Sequence, residues 1–230
     1  MKSDLADTFR LVAVDIRGHG LSDKPGEGYG DSKLWADDIH AVINQLGLDS
    51  PLLTAWSYGG AVISDYIAHY GENEISGTHW VGAVCRLGEP LQVLVGVRDD
   101  FAAVAAGLFS DGVGESVAAM RRLIGLVVPS GLSPEEAYLF LGWNMAVPPY
   151  VRQGLLSRTL DNDAVVREMK KPMLLTWGEE DVVVSPRMRD HLAMLAPHAE
   201  VSNYPGAGHA PFWEAPERFN RELRKFREAI

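Results

Sequence analysis

The sequence predicts an α/β fold with a mostly parallel sheet. Three observations carry that prediction. Apolar runs of strand length alternate with segments whose apolar residues recur at helical spacing. One such run passes through Ala55-Trp56-Ser57-Tyr58-Gly59-Gly60 directly into a helix, with a serine at the apex of the turn. Strand runs then return near the C-terminus, after a long interval dominated by helical faces.

The elements follow in order. Leu11-Val12-Ala13-Val14-Asp15-Ile16 is an apolar run of strand length, as in a sheet covered on both faces. Trp35, Ile39, Val42, Ile43 and Leu46 mark one helix face, which Gly47 ends. Pro51 to Thr54 leads into the turn at Ser57. Val62, Ile63, Tyr66, Ile67 and Tyr70 form the next helix face, closed by Gly71, and a strand lies within Ile75 to Val84. Alternation of this kind implies right-handed crossovers. From about 86 to 170 strand runs become scarce; Val117 to Val128 and Pro134 to Met145 read as apolar helices. Met173 to Gly178 is a buried strand, Ser185-Pro186 a helix start, and Ala199 to Tyr204 the last strand. Phe219, Leu223, Phe226 and Ile230 mark a closing helix. The chain therefore divides into a first part of the core (1–85), an inserted helical segment (86–170) and a second part of the core (171–230).

The 230 residues are 47% hydrophobic and 23% charged, enough for one domain with an insertion. A net charge of −10 argues against nucleic-acid or anionic-membrane partners. The single cysteine, Cys85, excludes an internal disulfide framework and fits a reducing cytoplasm. No segment resembles a signal peptide, and no apolar run approaches the ~20 residues needed to span a bilayer. His40, His69, His79, His191 and His198 lack metal-ligand spacing, and no H-E-x-x-H or Cys cluster exists, so no metal is expected.

The turn at Ser57 carries the chemistry. A sharp strand-to-helix turn strains its central residue and needs small neighbours two positions either side, here Ala55 and Gly59. It exposes the serine hydroxyl and sets the Tyr58 N–H at a helix N-terminus, where it can donate to an oxyanion. A serine needs a base, itself oriented by a carboxylate. Asp181 follows the strand ending at Gly178, and His209 lies in a Gly/Pro-rich loop before the last helix. Glu179 and Glu180 could replace Asp181 if the register slips. The spacing predicts Ser57, Asp181 and His209 converging above the C-terminal sheet edge, the hydroxyl within about 2.6–3.2 Å of the imidazole. Trp56, beside the serine, is the best candidate for a pocket wall.

Five segments together resemble the α/β-hydrolase family: Asp15-Ile16-Arg17-Gly18-His19-Gly20-Leu21-Ser22, the Ser57 turn, Gly178 to Asp181, Val184-Ser185-Pro186, and Gly208-His209. Within it, Trp-Ser-Tyr-Gly-Gly and Gly-His-Ala-Pro-Phe-Trp-Glu are similar to small cofactor-free bacterial esterases and the non-haem haloperoxidase branch. One departure is Ala55, where the family usually has glycine. The resemblance implies an α/β-hydrolase core with a helical cap over an apolar pocket at 86–170. It also implies ester hydrolysis through an acyl-enzyme, with lactonase or perhydrolase chemistry on the same triad as alternatives. In the family three strands precede the one at Leu11, and the third lies between the next two and carries a second oxyanion donor. Only Met1 to Arg10 precede Leu11 here, with Leu5 and Phe9 reading as the tail of a helix. An N-terminally truncated core is therefore expected, with little or no esterase turnover on short acyl esters. The strands from Leu11 and Leu52 then either pair directly or leave a gap. The alternative from another class is a degenerate, ligand-binding fragment.

Overall fold

The computed structural model describes residues 4–88, 104 and 106–230. A single 3-10 turn at Asp4–Asp7 stands where the tail of a helix was expected. Helix α1 (Ser32–Gln45) starts where the Asp31 carboxylate accepts the Lys33 N–H, and it buries Trp35, Ala36 and Ile43. Strand β1 (Leu52–Trp56) leads through Ser57 into α2 (Gly59–Tyr70), which Gly71 closes. Strand β2 (Gly77–Val81) is buried along its whole length. The two-residue strand β3 (Arg86–Leu87) follows.

Helices α3 (Val113–Val127), α4 (Pro134–Met145) and α5 (Pro149–Leu156) then follow within the described part of the insertion. Helix α4 opens with a full capping box, Ser133 and Glu136 each bonding the other's backbone N–H. Strand β4 (Leu160–Asp161) pairs antiparallel with β3 and so ties together the two ends of this segment. Helix α6 (Asp163–Glu168), strand β5 (Met173–Gly178), helix α7 (Pro186–Leu195), strand β6 (Glu200–Tyr204) and helices α8 (Pro211–Glu214) and α9 (Pro216–Glu228) complete the chain.

The main sheet has the order β1-β2-β5-β6, every pair parallel. Its register aligns Ala55 with Trp80, Trp80 with Leu175 and Leu175 with Val201. Parallel pairing brings the C-terminal ends of β1, β5 and β6 to one edge, and the loops after them carry Ser57, Asp181 and His209. The main core sits under this edge, around Tyr66, Trp80, Leu175, Trp177 and Leu192. A second cluster in the helical segment, including Met120, Ile124 and Phe140, reaches Ala210, Phe212 and Trp213 beside the His209 loop.

The run Leu11 to Ile16 does not form a strand, contrary to expectation. A strand needs a ladder partner, and among the described residues β1 pairs with β2 alone. The segment neither closes onto β1 nor is covered: Val12 and Val14 are 38% and 40% exposed. Its end is held by side chains instead. The Arg17 fork takes both oxygens of Asp38, and the His19 ring bonds the Arg17 carbonyl.

Candidate active site

The turn after β1 has the strain expected of it: Ser57 sits at φ 56°. The small residues around it are required by contact. A Cβ on Gly59 would lie 3.1 Å from that of Ala55, and one on Gly60 would lie 2.5 Å from the Val84 carbonyl oxygen. Backbone bonds fix the turn on both sides, from Ser57 N–H to the Val81 carbonyl and from Val84 N–H to the Ser57 carbonyl, each 3.0 Å. Among the described residues the Ser57 hydroxyl makes no hydrogen bond. Neither does the Tyr58 N–H, which heads α2 with its donor free for an incoming oxygen.

Asp181 and His209 meet in a dry pair. His209 Nδ1 lies 2.8 Å from Asp181 Oδ2, with the two residues 1% and 4% exposed. The other oxygen of Asp181 accepts the N–H groups of Val183 and Val184 at 2.9 and 2.8 Å. A carboxylate held by two backbone donors orients the imidazole with Nδ1–H toward itself, which leaves Nε2 as the basic nitrogen. That Nε2 is buried and has no hydrogen-bond partner among the described residues.

The imidazole lies against both flanks of the Ser57 turn. Trp56, before the serine, donates its indole N–H to the His209 carbonyl at 2.7 Å, and the two rings are 5.2 Å apart. Gly82, after the Val81 carbonyl that holds Ser57, leaves room for the ring: a Cβ there would be 3.0 Å from His209 Nδ1. The direct hydrogen bond from Ser57 to His209 that the spacing predicted is absent among the described residues. Such bonds are often long in the resting state and tighten when substrate is bound.

Trp56 was expected as a pocket wall. Its ring is 39% exposed and stands edge-on to Phe212, while its N–H is committed to the loop that carries the base. Glu179 and Glu180 contribute backbone N–H groups to the Tyr204 and Ala207 carbonyls, so the register does not slip away from Asp181. The expected apolar roof over Ser57 includes residues 89–103, which lie outside the described residues. A polar cleft of about 400 Å³ borders Asp65, Arg158, Thr159 and Asn162 instead, and Ser57 does not line it.

Several positioning groups escaped the sequence reading. The His209 N–H donates to the Val127 carbonyl at the end of α3, and Glu214 accepts the Gly208 N–H at 2.6 Å. Gly82 and Arg158 also bear on the site. Only the E in Gly-His-Ala-Pro-Phe-Trp-Glu stood in a quoted motif; the others carry no local signal.

Cys85, Asp163 and His191 gather with their ligand atoms within 4.8 Å of one another. Arg86 occupies both oxygens of Asp163 at 2.6 Å, and His191 takes one of them at 2.8 Å. Cys85 is buried against Met188, and burial pushes its thiol up to about 12. This network is an ion-pair cluster under the sheet rather than a nucleophile.

The chain resembles known proteins in the same terms. The alpha/beta hydrolase family matches residues 2–222. The esterase RhEst1 from Rhodococcus sp. ECU1013 superposes with a TM-score of 0.91 at 35% identity, covering 97% of this chain and 82% of that one. A bifunctional esterase/perhydrolase from Acinetobacter calcoaceticus is 27% identical over 96% of this chain and 83% of its own length. A non-heme haloperoxidase from Rhodococcus erythropolis is 26% identical over 96% of this chain and 83% of its own. With a parallel sheet that delivers a strained serine and a buried Asp–His pair to one edge, and a match along almost its whole length, the chain belongs to the alpha/beta hydrolase family and is a hydrolase.

Proposed function

We propose that the protein hydrolyses a small carboxylic ester through an acyl-enzyme, with Ser57 as nucleophile, His209 as base and Asp181 as the carboxylate that orients it. The observation that carries this is the dry Asp181–His209 pair, whose imidazole packs against Trp56 next to the strained Ser57 and whose Nε2 has no partner among the described residues. Ser57 Oγ attacks the acyl carbon while His209 Nε2 takes its proton. The Tyr58 N–H donates to the oxyanion that forms. The carbon–oxygen bond to the alcohol breaks, and the imidazolium returns the proton to that oxygen. Water then attacks the acyl-serine by the same route, and Ser57 regains its hydrogen.

The likeness to RhEst1, an esterase, supports an ester as the substrate. Transfer of the acyl group to peroxide on the same triad is the second reading, supported by the likeness to an esterase/perhydrolase. The expected setting is a cytoplasmic enzyme acting on a small acyl substrate, with no metal or cofactor. The unpaired Cys85 supports that location, and no helix among the described residues is long and apolar enough to cross a membrane.

Labelling with a fluorophosphonate tests the assignment, because it needs an activated serine. The parent chain should take up one label, at Ser57; Ser57→Ala should take up none, and His209→Gln should label far more slowly. Equal labelling of the parent and Ser57→Ala would remove Ser57 from the mechanism. A p-nitrophenyl ester with and without peroxide separates hydrolysis from perhydrolysis.

A further inference from the structure

We propose that Arg158 and Asp65 form a positioning pair for the oxyanion donor: Arg158 reaches from the helical insertion, grips the Tyr58 side chain and so aims the Tyr58 N–H. The inference rests on the hydrolase reading above and extends it to two residues outside the triad.

Arg158 follows α5 directly and precedes β4. Its guanidinium makes a fork with Asp65, at 2.8 and 2.9 Å, and the same Nη1 donates to the Tyr58 phenol oxygen at 3.1 Å. The side chains of Arg158 and Asp65 are only 5% and 4% exposed. Tyr58 and Asp65 lie seven residues apart at the start and in the second turn of α2, two turns along one helix face. Arg158 therefore staples the first turn of α2 to the second. On the other side the Tyr58 ring meets Trp35 edge-on at 5.7 Å, and Trp35 is itself fixed by its N–H to the Tyr29 carbonyl at 2.9 Å. The ring is held from two directions.

The backbone at Tyr58 needs such a hold. No side chain caps α2, and the Tyr58 N–H has no acceptor among the described residues. The residue before it is strained at positive φ, and strain of that kind persists only where the surroundings over-determine it. A buried ion pair is a weak device for stability alone, because desolvation offsets most of its attraction. Apolar side chains could fill the same space. The fork is well suited to direction, however, since a bidentate guanidinium fixes orientation as well as distance. Burial pushes the Tyr58 phenol up to about 12, so the hydroxyl stays neutral and accepts from Arg158. The insertion thus reaches the site twice: through the Val127 carbonyl to His209, and through Arg158 to Tyr58.

The test compares the parent with Tyr58→Phe, Arg158→Lys and the double variant Asp65→Leu/Arg158→Met. Each is measured for its rate of fluorophosphonate labelling, its kcat and KM on p-nitrophenyl acetate, and its thermal midpoint. Tyr58→Phe removes only the gripped oxygen. It should lower the labelling rate and kcat by about tenfold, with KM within twofold and the midpoint unchanged. The double variant should show the same loss with a folded chain. Arg158→Lys, which keeps the charge but loses the planar fork, should fall between them and the parent. If Tyr58→Phe labels and turns over within twofold of the parent, the pair is structural only and the proposal fails. Should the double variant not fold, Tyr58→Phe decides alone. A parent that takes no label overturns the hydrolase reading, and this proposal with it; a labelled parent with an unaffected Tyr58→Phe overturns this proposal only.

Discussion

At Gly82 a single hydrogen stands where a methyl group would meet the base. The residue has φ 48°, and a Cβ there would lie 3.0 Å from His209 Nδ1 and 3.1 Å from Asp181 Oδ2. Gly82→Ala should therefore act twice. The left-handed backbone costs about 1–2 kcal/mol with a Cβ present, and the imidazole and carboxylate must give way by a few tenths of an ångström. Small misplacements of a reacting group lower rate steeply. The expected outcome is a 10- to 100-fold loss in labelling rate at Ser57, with a melting transition that survives at lower temperature. Normal labelling of Gly82→Ala would mean that the ring has slack on that side. The contrast with Ser57 is instructive. A serine in a strand-to-helix turn, with Ala55 and Gly59 around it, carries its function in local sequence. Gly82 has no neighbour in the chain that marks it, because what it accommodates arrives from residues 181 and 209.

Among the elements, β1 and the insertion carry the sharpest consequences. Among the described residues β1 has one ladder neighbour; Thr54 and Trp56 are exposed on it, and Val12 and Val14 stand open on the segment that was expected to be a strand. An open strand edge is a template for pairing with another chain. Thr54→Lys should reduce concentration-dependent light scattering on warming without lowering Ser57 labelling. An unchanged scattering curve would show that this edge does not drive association. In the insertion, Arg152 is buried and donates to the Leu108 carbonyl, the Ser116 hydroxyl and the Asn144 carbonyl at 2.9–3.1 Å. The Asn144 carbonyl also accepts the Val147 N–H at 3.2 Å, and one guanidinium joins α3, α4 and α5. Arg152→Met keeps the bulk but removes the three bonds and takes this donor from the Leu108 carbonyl, at about 1–3 kcal/mol. Urea denaturation should show that loss. Since α3 also holds His209, Ser57 labelling should slow in the same variant.

For the molecule as a whole, the buried histidine of β2 sets a pH dependence. His79 is enclosed between Thr176 of β5, to which its Nε2 bonds at 2.9 Å, and the Phe219 ring of α9, and its Nδ1 has no partner among the described residues. Burial pulls its pKa from 6.5 to about 3, against a weaker pull upward from Glu222. The unfolded chain therefore takes up a proton near pH 6.5 that the folded chain refuses. The contribution to stability is intact above pH 6.5 and is lost progressively as pH falls toward 3, by up to ~1.4 kcal/mol per pH unit. Burial lowers His19 in the same sense. Urea midpoints measured between pH 7 and 5 stay above the range where the depressed carboxylates of Asp163 and Glu222 begin to add their own loss. The midpoint should fall across that interval in the parent and fall less in His79→Gln. A flat profile in the parent would mean that water reaches His79.

The sequence by itself determined what depends on neighbours in the chain. The strand period at Met173–Gly178 and the cap at Ser185-Pro186 were legible there, as were the helix stops at Gly47 and Gly71 and the strained turn at Ser57. Each is a local balance of burial, capping and backbone freedom. The family and the three residues of the candidate triad were legible too, because each triad residue stands in a short motif at the end of a strand. The tertiary structure decided everything that depends on a partner far along the chain. Leu11 to Ile16 has strand composition but no ladder neighbour, and a strand exists only as half of a pair. Asp181 and His209 become a dry pair only when parallel pairing brings the ends of β5 and β6 together. Gly82, Val127 and Arg158 matter solely through what the fold sets against them. Composition and periodicity report how a segment meets water, and they hold no record of which distant segment takes water's place.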